Sequence, residues 1–301
     1  MIDLDKYTTT AKVWALMEFG GVGPRAFRAL IARFGDVDTI LRAETNELST
    51  IEGLNWQQAE KIGRADRSLE EAEVFIDAMN IRDIHSTTVL ETHYPELFLE
   101  LNDPPPLIFH KGNLPSNDQK RAAIVGMQDA SIEGIALAVD LAGALAKANV
   151  AIVSDLARGI GAAAHLGAMK AGGQSYAVLP AGFDHIYPEE NILLSMELTK
   201  IGGLISEYAP AVDFSKERDM QRNRLVAGLS QAVIIGEVRG DAEMTLDIAK
   251  FCHQIGKLMF VMTDNAYATG KDFTGIEKVL QYGAIPLGMK EAVEMISKSL
   301  V

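Results

Sequence analysis

The chain has 301 residues, 48% of them apolar, and a formal net charge of −13 from 28 Lys+Arg and 41 Asp+Glu. That length holds two modest domains or one large one, and the apolar share excludes global disorder. The acidic balance argues against a broad nucleic-acid surface, and the single cysteine, Cys252, excludes an internal disulfide and a cysteine zinc cluster.

The acidity is shared. Residues 1–117 carry 11 Lys+Arg and 19 Asp+Glu, net −8, and residues 118–301 carry 17 and 22, net −5. A nucleic-acid site would therefore have to be a local pocket with a few arginines. Residues 1–6 lack a basic-then-apolar leader pattern, and no apolar run reaches the length of a membrane span. A cytoplasmic location is expected. The six histidines are scattered, so no metal site is expected.

In chain order, Lys12–Phe19 and Pro24–Phe34 place apolar residues at three-to-four spacing and predict helices, broken at Gly20-Gly21 and Gly35. The Gly21-Val22-Gly23-Pro24-Arg25 turn resembles a helix-hairpin-helix turn, with Ile51–Leu54 a degenerate copy. Such turns can offer backbone N–H groups to phosphate, but here the surroundings are acidic and favour a plain packed turn. Ser68–Met79 predicts a further helix and Ile84–Leu90 a strand. Thr92–Pro106 is a proline-punctuated connection, and Leu107–His110 a short strand. A small helical domain over 1–82 and a larger domain over 83–301 are expected. The core of the second should span 120–287, after the Asn113–Gln119 connection.

From residue 121 the pattern alternates. Short runs of Val, Ile and Ala predict buried strands at Ala122–Val125, Ala151–Ser154, Ser175–Leu179, Leu204–Ser206, Ala232–Glu237 and Leu258–Val261. Helices are predicted at Ile132–Ala148, Ala162–Ala171, Glu190–Ile201, Glu217–Leu229 and Ala242–Ile255, with terminal helices at Gly275–Tyr282 and Lys290–Leu300. Repeated strand, crossover and strand imply a doubly wound, mostly parallel α/β sheet with right-handed crossovers.

Ligands of such sheets bind outside the carboxyl ends of the strands, and the notable residues fall there. Gly126 follows the first strand, Ser154 to Gly159 the second, Gly182 to Tyr187 the third, Ser206-Glu207 the fourth and Glu237 the fifth. Two guanidiniums flanking an amide, Arg222-Asn223-Arg224, suit a phosphate. The plainer expectation pairs both arginines with carboxylates such as Glu207 and Glu237. Arg158 is either a phosphate contact or a partner of Asp155 or Asp184. Tyr187 could stack a base and Asp184 hold a sugar hydroxyl, or the turn could simply be fixed by Pro188. His165 is expected to be a packing or hydrogen-bonding residue, and Ser206 with Glu207 to orient the arginines. There is no P-loop, no GxGxxG and no recognisable nucleophile elbow, so neither a cofactor nor a catalytic set is expected.

Taken in order, Ile124-Val125-Gly126, Ser154-Asp155-Leu156-Ala157-Arg158-Gly159, His165-Leu166-Gly167-Ala168, Ala177 to Asn191, Ser206-Glu207-Tyr208 and Arg222-Asn223-Arg224 resemble the DprA/Smf family of DNA-processing proteins. The resemblance covers about residues 122–285 and extends weakly upstream. It implies a Rossmann-like domain behind a helix-hairpin-helix or SAM-like region. It also implies single-stranded DNA binding rather than enzymatic activity, a homodimer, and help in loading a RecA-like recombinase during natural transformation. Carried over, the DNA pocket would use Arg158, Arg222, Asn223 and Arg224 beside the turns at Gly126, Gly159 and Gly182.

Several positions depart from the family pattern. Gly-Ser-Arg after the first strand is Gly126-Met127-Gln128 here. Ser-Gly-Leu-Ala-Arg-Gly-Ile-Asp is Ser154-Asp155-Leu156-Ala157-Arg158-Gly159-Ile160-Gly161. Asp155, Asp241 and Glu243 are expected to bring negative charge to the pocket mouth and weaken DNA binding. Two alternatives remain: a nucleotide-binding or nucleotide-hydrolysing relative, and a paralogue without DNA binding that serves as an interaction scaffold. A dimer surface is expected near Ile276–Leu287, and no C-terminal winged-helix domain is expected.

Overall fold

A computed structural model describes residues 3–264 and 274–300. The chain forms two compact units, one of residues 1–94 with 102–109, the other of 95–101 with 110–301.

The first unit contains α1 (Thr9–Glu18), α2 (Pro24–Phe34), α3 (Val37–Arg42), α4 (Thr45–Leu48), α5 (Trp56–Ile62), α6 (Leu69–Ile81), β1 (His85–Thr88) and the first half of β2 (Leu107–Gly112). Local chemistry starts these helices. Thr8 Oγ1 accepts from Ala11 N at 3.2 Å to cap α1. Pro24 occupies the first turn of α2, where its missing N–H costs nothing. Both glycine turns read from the sequence join helices, α1 to α2 and α4 to α5.

Trp14 stacks on Phe75 with ring centroids 4.7 Å apart, and Phe109 meets Trp14 edge-on at 5.5 Å. That cluster explains why the division falls later than the expected 82/83. Phe109 of β2 belongs to the helical unit's core, and Tyr94 donates its hydroxyl to Pro105 O at 2.8 Å within the same unit.

The second unit continues through β3 (Arg121–Val125), α7 (Ile132–Lys147), β4 (Ala151–Asp155), α8 (Ile160–Lys170), β5 (Ser175–Val178), α9 (Ile192–Ile201), β6 (Gly203–Ser206) and α10 (Lys216–Gly228). It then runs through β7 (Ala232–Ile235), α11 (Glu243–Ile255), β8 (Leu258–Met262), α12 (Thr274–Gln281), β9 (Ile285–Leu287) and α13 (Met289–Ser299). Its strands lie in the order β6-β5-β4-β3-β7-β8-β9, each parallel to its neighbours.

The residues of β3 to β7 other than Asp155 are buried, as strands covered on both faces must be. Ile124, Ile152 and Ile234 pack against Leu141 and Leu145 of α7 and Ala164 of α8. Ala292, Ile296 and Leu300 join that cluster, so the core runs past the expected limit of 287. The chain folds outward from β3 in both directions, through β4 on one side and β7 on the other. This opens a crevice over the carboxyl ends of β3 and β7.

Candidate functional site

A cavity of about 210 Å³ fills that crevice, bordered by Gly126, Asp155, Lys216, Arg222, Asn223 and Thr245 among others. Two further turns are laced to the 126–129 stretch that lines it. Met127 N donates to Glu237 O and Ile160 N to Met127 O, both at 3.1 Å. Gly126 lets the turns approach, since a Cβ there would lie 2.6 Å from Ile160 Cγ1. The Glu237 carboxylate accepts from Ser131 N and Ser131 Oγ at the start of α7. It holds the turns, not an arginine, contrary to one expectation from the sequence.

The Arg-Asn-Arg triplet lies within α10, where successive side chains point about 100° apart. It does not present a flat triad to one anion. Arg222 turns inward, 2% exposed, with Nη2 2.6 Å from Asp219 Oδ1 and Nη1 3.1 Å from Asp155 Oδ2. Its Nε forms no hydrogen bond among the described residues, and Nη1 meets Asp155 as an ion pair. Burial acts to lower the pKa of this guanidinium, but Asp155 and Asp219 outweigh it and hold the group protonated, above the ordinary arginine value.

Asn223 Nδ2 donates to Met244 O at 3.2 Å and tethers α10 to α11. Arg224 pairs with Glu207 and faces a second cleft, of about 220 Å³, which Asn223, Lys250 and Phe251 also line. Arg222 and Asn223 therefore border the main cavity, and Arg224 does not.

The remaining candidates divide into exposed groups and scaffold. Arg158 is exposed and pairs with Glu190, Nε to Oε1 2.7 Å, rather than with Asp155 or Asp184. Together with Tyr187 it lines a narrow recess of about 20 Å³ that Arg222 also borders. Tyr187 is 45% exposed and stacks on Phe214, centroids 3.9 Å apart. Asp184 N donates to Pro210 O at 3.0 Å, and Gly182 leaves room for that loop, because a Cβ would stand 2.1 Å from Ala209 O.

Ser154 Oγ donates to Ile124 O at 2.6 Å, and Ser206 Oγ donates to Ala181 O at 2.8 Å. Gly159, with φ 68°, carries the chain from β4 into α8. Among the described residues no cluster of three or more His, Cys, Asp or Glu could hold a metal, and no helix is long and apolar enough to cross a membrane.

His165 is a buried bridge. Nε2 lies 2.8 Å from Asp155 O, which can only accept, so Nε2 carries the proton and Nδ1 accepts from Ser175 Oγ at 2.7 Å. Burial pushes its pKa down to about 4. The unfolded chain therefore binds a proton that the folded chain refuses between roughly pH 6.5 and 4. This contribution is fully present above 6.5 and is lost as pH falls towards 4, for a total of about 3 kcal/mol. Urea midpoints measured across that range should fall with acidification in the native protein, and His165→Asn should flatten the fall.

Three residues escaped the sequence reading: Lys216, Phe214 and Asp219. Ser215 Oγ accepts from Arg218 N at 3.2 Å and starts α10 one residue earlier than expected, which sets Lys216 at the cavity mouth. Asp219 stands three residues before Arg222 on the helix, and that spacing was the available signal.

The family model for DNA recombination-mediator protein A matches residues 85–298. Protein Smf of Synechocystis is 28% identical over 249 residues, covering 81% of this chain and 62% of that protein. DNA processing protein DprA of Streptococcus pneumoniae is 36% identical over 154 residues, covering 51% of this chain and 54% of its own length. The chain thus spans about half the length of the curated relatives it matches.

Among solved structures, DprA of Streptococcus pneumoniae superimposes with a TM-score of 0.75 at 25% identity, over 96% of this chain and 98% of that one. DNA processing protein A of Helicobacter pylori, whose single-stranded DNA binding mode has been described, shares the fold with a TM-score of 0.62 at 24% identity. It covers 72% of this chain and 97% of its own. With a family match over more than half its length, the chain belongs to the DNA recombination-mediator protein A (DprA/Smf) family.

Proposed function

We propose that this chain binds single-stranded DNA by taking a backbone phosphate into the crevice over β3 and β7. The observation that carries this reading is Arg222, a buried, protonated guanidinium bordering the cavity, whose Nε makes no hydrogen bond among the described residues. Such a donor suits an anion, and the first turn of α11 lines the same space and adds the positive end of a helix. A family whose solved members include a single-stranded DNA binder supports a strand rather than a free anion.

Transfer of the strand to a RecA-like recombinase, a homodimer, a binding role without catalysis and a cytoplasmic setting complete the proposal on the family resemblance. For the dimer, Val279 and Leu287 are buried in the chain's own core, leaving Leu280 and Ile285 exposed in the 276–287 segment. A Leu280→Asp/Ile285→Asp variant should sediment as a monomer, and an unchanged dimer would reject that surface.

Fluorescence anisotropy of a labelled oligo-dT across a salt series tests DNA binding. Two cations at the cavity, Lys216 and Arg222, predict a log–log salt slope of roughly −1.4. No binding at low salt would sink the reading. Lys216 Nζ is 3.4 Å from Glu243 Oε2, both groups exposed, so Glu243→Gln should free the ammonium. Affinity should then tighten about threefold at low salt, and the gain should fade as salt screens the pair.

A further inference from the structure

Asp155, at the end of β4, and Gly161, in the first turn of α8, contend for one volume. A Cβ on Gly161 would stand 1.9 Å from Asp155 Oδ1 and 3.1 Å from its Cγ. The backbone at Gly161 is helical and accepts any residue, so what chiefly bars a side chain there is the Asp155 carboxylate, with the Asp155 carbonyl oxygen a tight neighbour at 3.1 Å. That carboxylate is already engaged on both oxygens. Oδ1 accepts from Ala157 N at 3.3 Å, and Oδ2 faces Arg222 Nη1 at 3.1 Å. One bond beyond its Cβ, an acid at 161 would bring its own carboxyl into the same space.

We propose that positions 155 and 161 share one carboxylate site, that the acid can stand at either, and that its work is to hold the Arg222 guanidinium at the crevice wall. Asp155 is then a positioning residue for Arg222. The Asp155 carboxylate is turned onto Arg222 with 15% exposure. It borders the cavity, as expected from sequence, with its charge set against the Arg222 guanidinium. Asp241 and Glu243, 80% and 79% exposed, stand there too.

The structural half of this inference is independent of ligand; its affinity half rests on the single-stranded DNA reading. The test is a swap read by thermal unfolding and by oligo-dT anisotropy. Asp155→Gly should lower Tm by on the order of 5 °C, because a buried guanidinium loses one of its two carboxylates. Gly161→Asp alone should also lower Tm, because two carboxylates then crowd one site.

Asp155→Gly/Gly161→Asp should recover most of the loss, whereas Asp155→Gly/Gly161→Asn, which fills the space without the charge, should not. If Asp155→Gly fails to fold, the same comparison is made on the yield of folded protein from the two double variants. Equal Tm or yield in the aspartate and asparagine doubles, or no loss in Asp155→Gly, would overturn the proposal. Recovery of Tm with no oligonucleotide binding in any variant, the native chain included, would support the shared site and reject the DNA reading instead.

Discussion

Arg222→Ala will abolish detectable oligonucleotide binding and destabilise the second unit by about 3–5 kcal/mol, the cost of leaving buried carboxylates without their cation. Asp219 Oδ1 at 2.6 Å and Asp155 Oδ2 at 3.1 Å would face each other across the vacated volume. Both effects have one cause, so the alanine variant alone cannot separate a lost contact from a disturbed site. Arg222→Lys separates them.

Lysine keeps the charge between the carboxylates but lacks the planar fork, which removes the unbonded Nε donor of the guanidinium that borders the cavity. It should retain more than half of the lost stability in urea denaturation and still bind oligo-dT at least tenfold more weakly. Arg224→Ala is the matched control. Its guanidinium pairs with Glu207 and faces the other cleft, so it should leave binding at the crevice within about twofold if charge screening is the only link. Native affinity in Arg222→Lys would remove this residue from the site.

The second large effect is expected at Gly159. Its φ of 68° and ψ of −123° are hostile to any L side chain, and a Cβ would lie 2.2 Å from Met127 O and 2.6 Å from Gln128 O. Those oxygens belong to the turn after β3, tied to α8 by the Ile160 N–H, so neither can retreat without disturbing a turn that lines the cavity. Gly159→Ala should cost about 4 kcal/mol, a fall in Tm on the order of 10 °C, with oligonucleotide binding lost.

Gly172 shows which part of that cost is the clash. Its φ is 73°, but a Cβ there meets nothing within 4 Å. Gly172→Ala should therefore cost only about 1–2 kcal/mol, the left-handed backbone penalty by itself. Equal losses at the two positions would show that the interlocked turns contribute little.

Much of the fold was legible because its signals are local. Buried parallel strands are short continuous Val, Ile and Ala runs, and each of the six read that way is present within two residues of its expected bounds. The missed strand, β9, has three residues, one of them Pro286, and lies at the sheet edge, where a proline is tolerated and no apolar run is required.

The site was less legible, because it depends on rotation and on distant pairing. Arg222 and Arg224 are two residues apart in sequence, and α10 turns them into different clefts. Glu190 lies 32 residues from Arg158 and took the partnership assigned to nearer acids. The Asp155 carboxylate fills the space that a Cβ at Gly161 would need, a contact six residues apart that no sequence pattern shows.

Both tryptophans of the chain, Trp14 and Trp56, belong to the helical unit. Trp14 is packed against Phe75 and Phe109, whereas Trp56 is 55% exposed. Nature has thus labelled one unit and left the other optically blank in the indole band. Emission from selectively excited indole follows the melting of the helical unit alone, while far-ultraviolet circular dichroism weighs the whole backbone. Plotted against denaturant, the two signals will coincide if the units unfold as one cooperative body and part if each unfolds by itself.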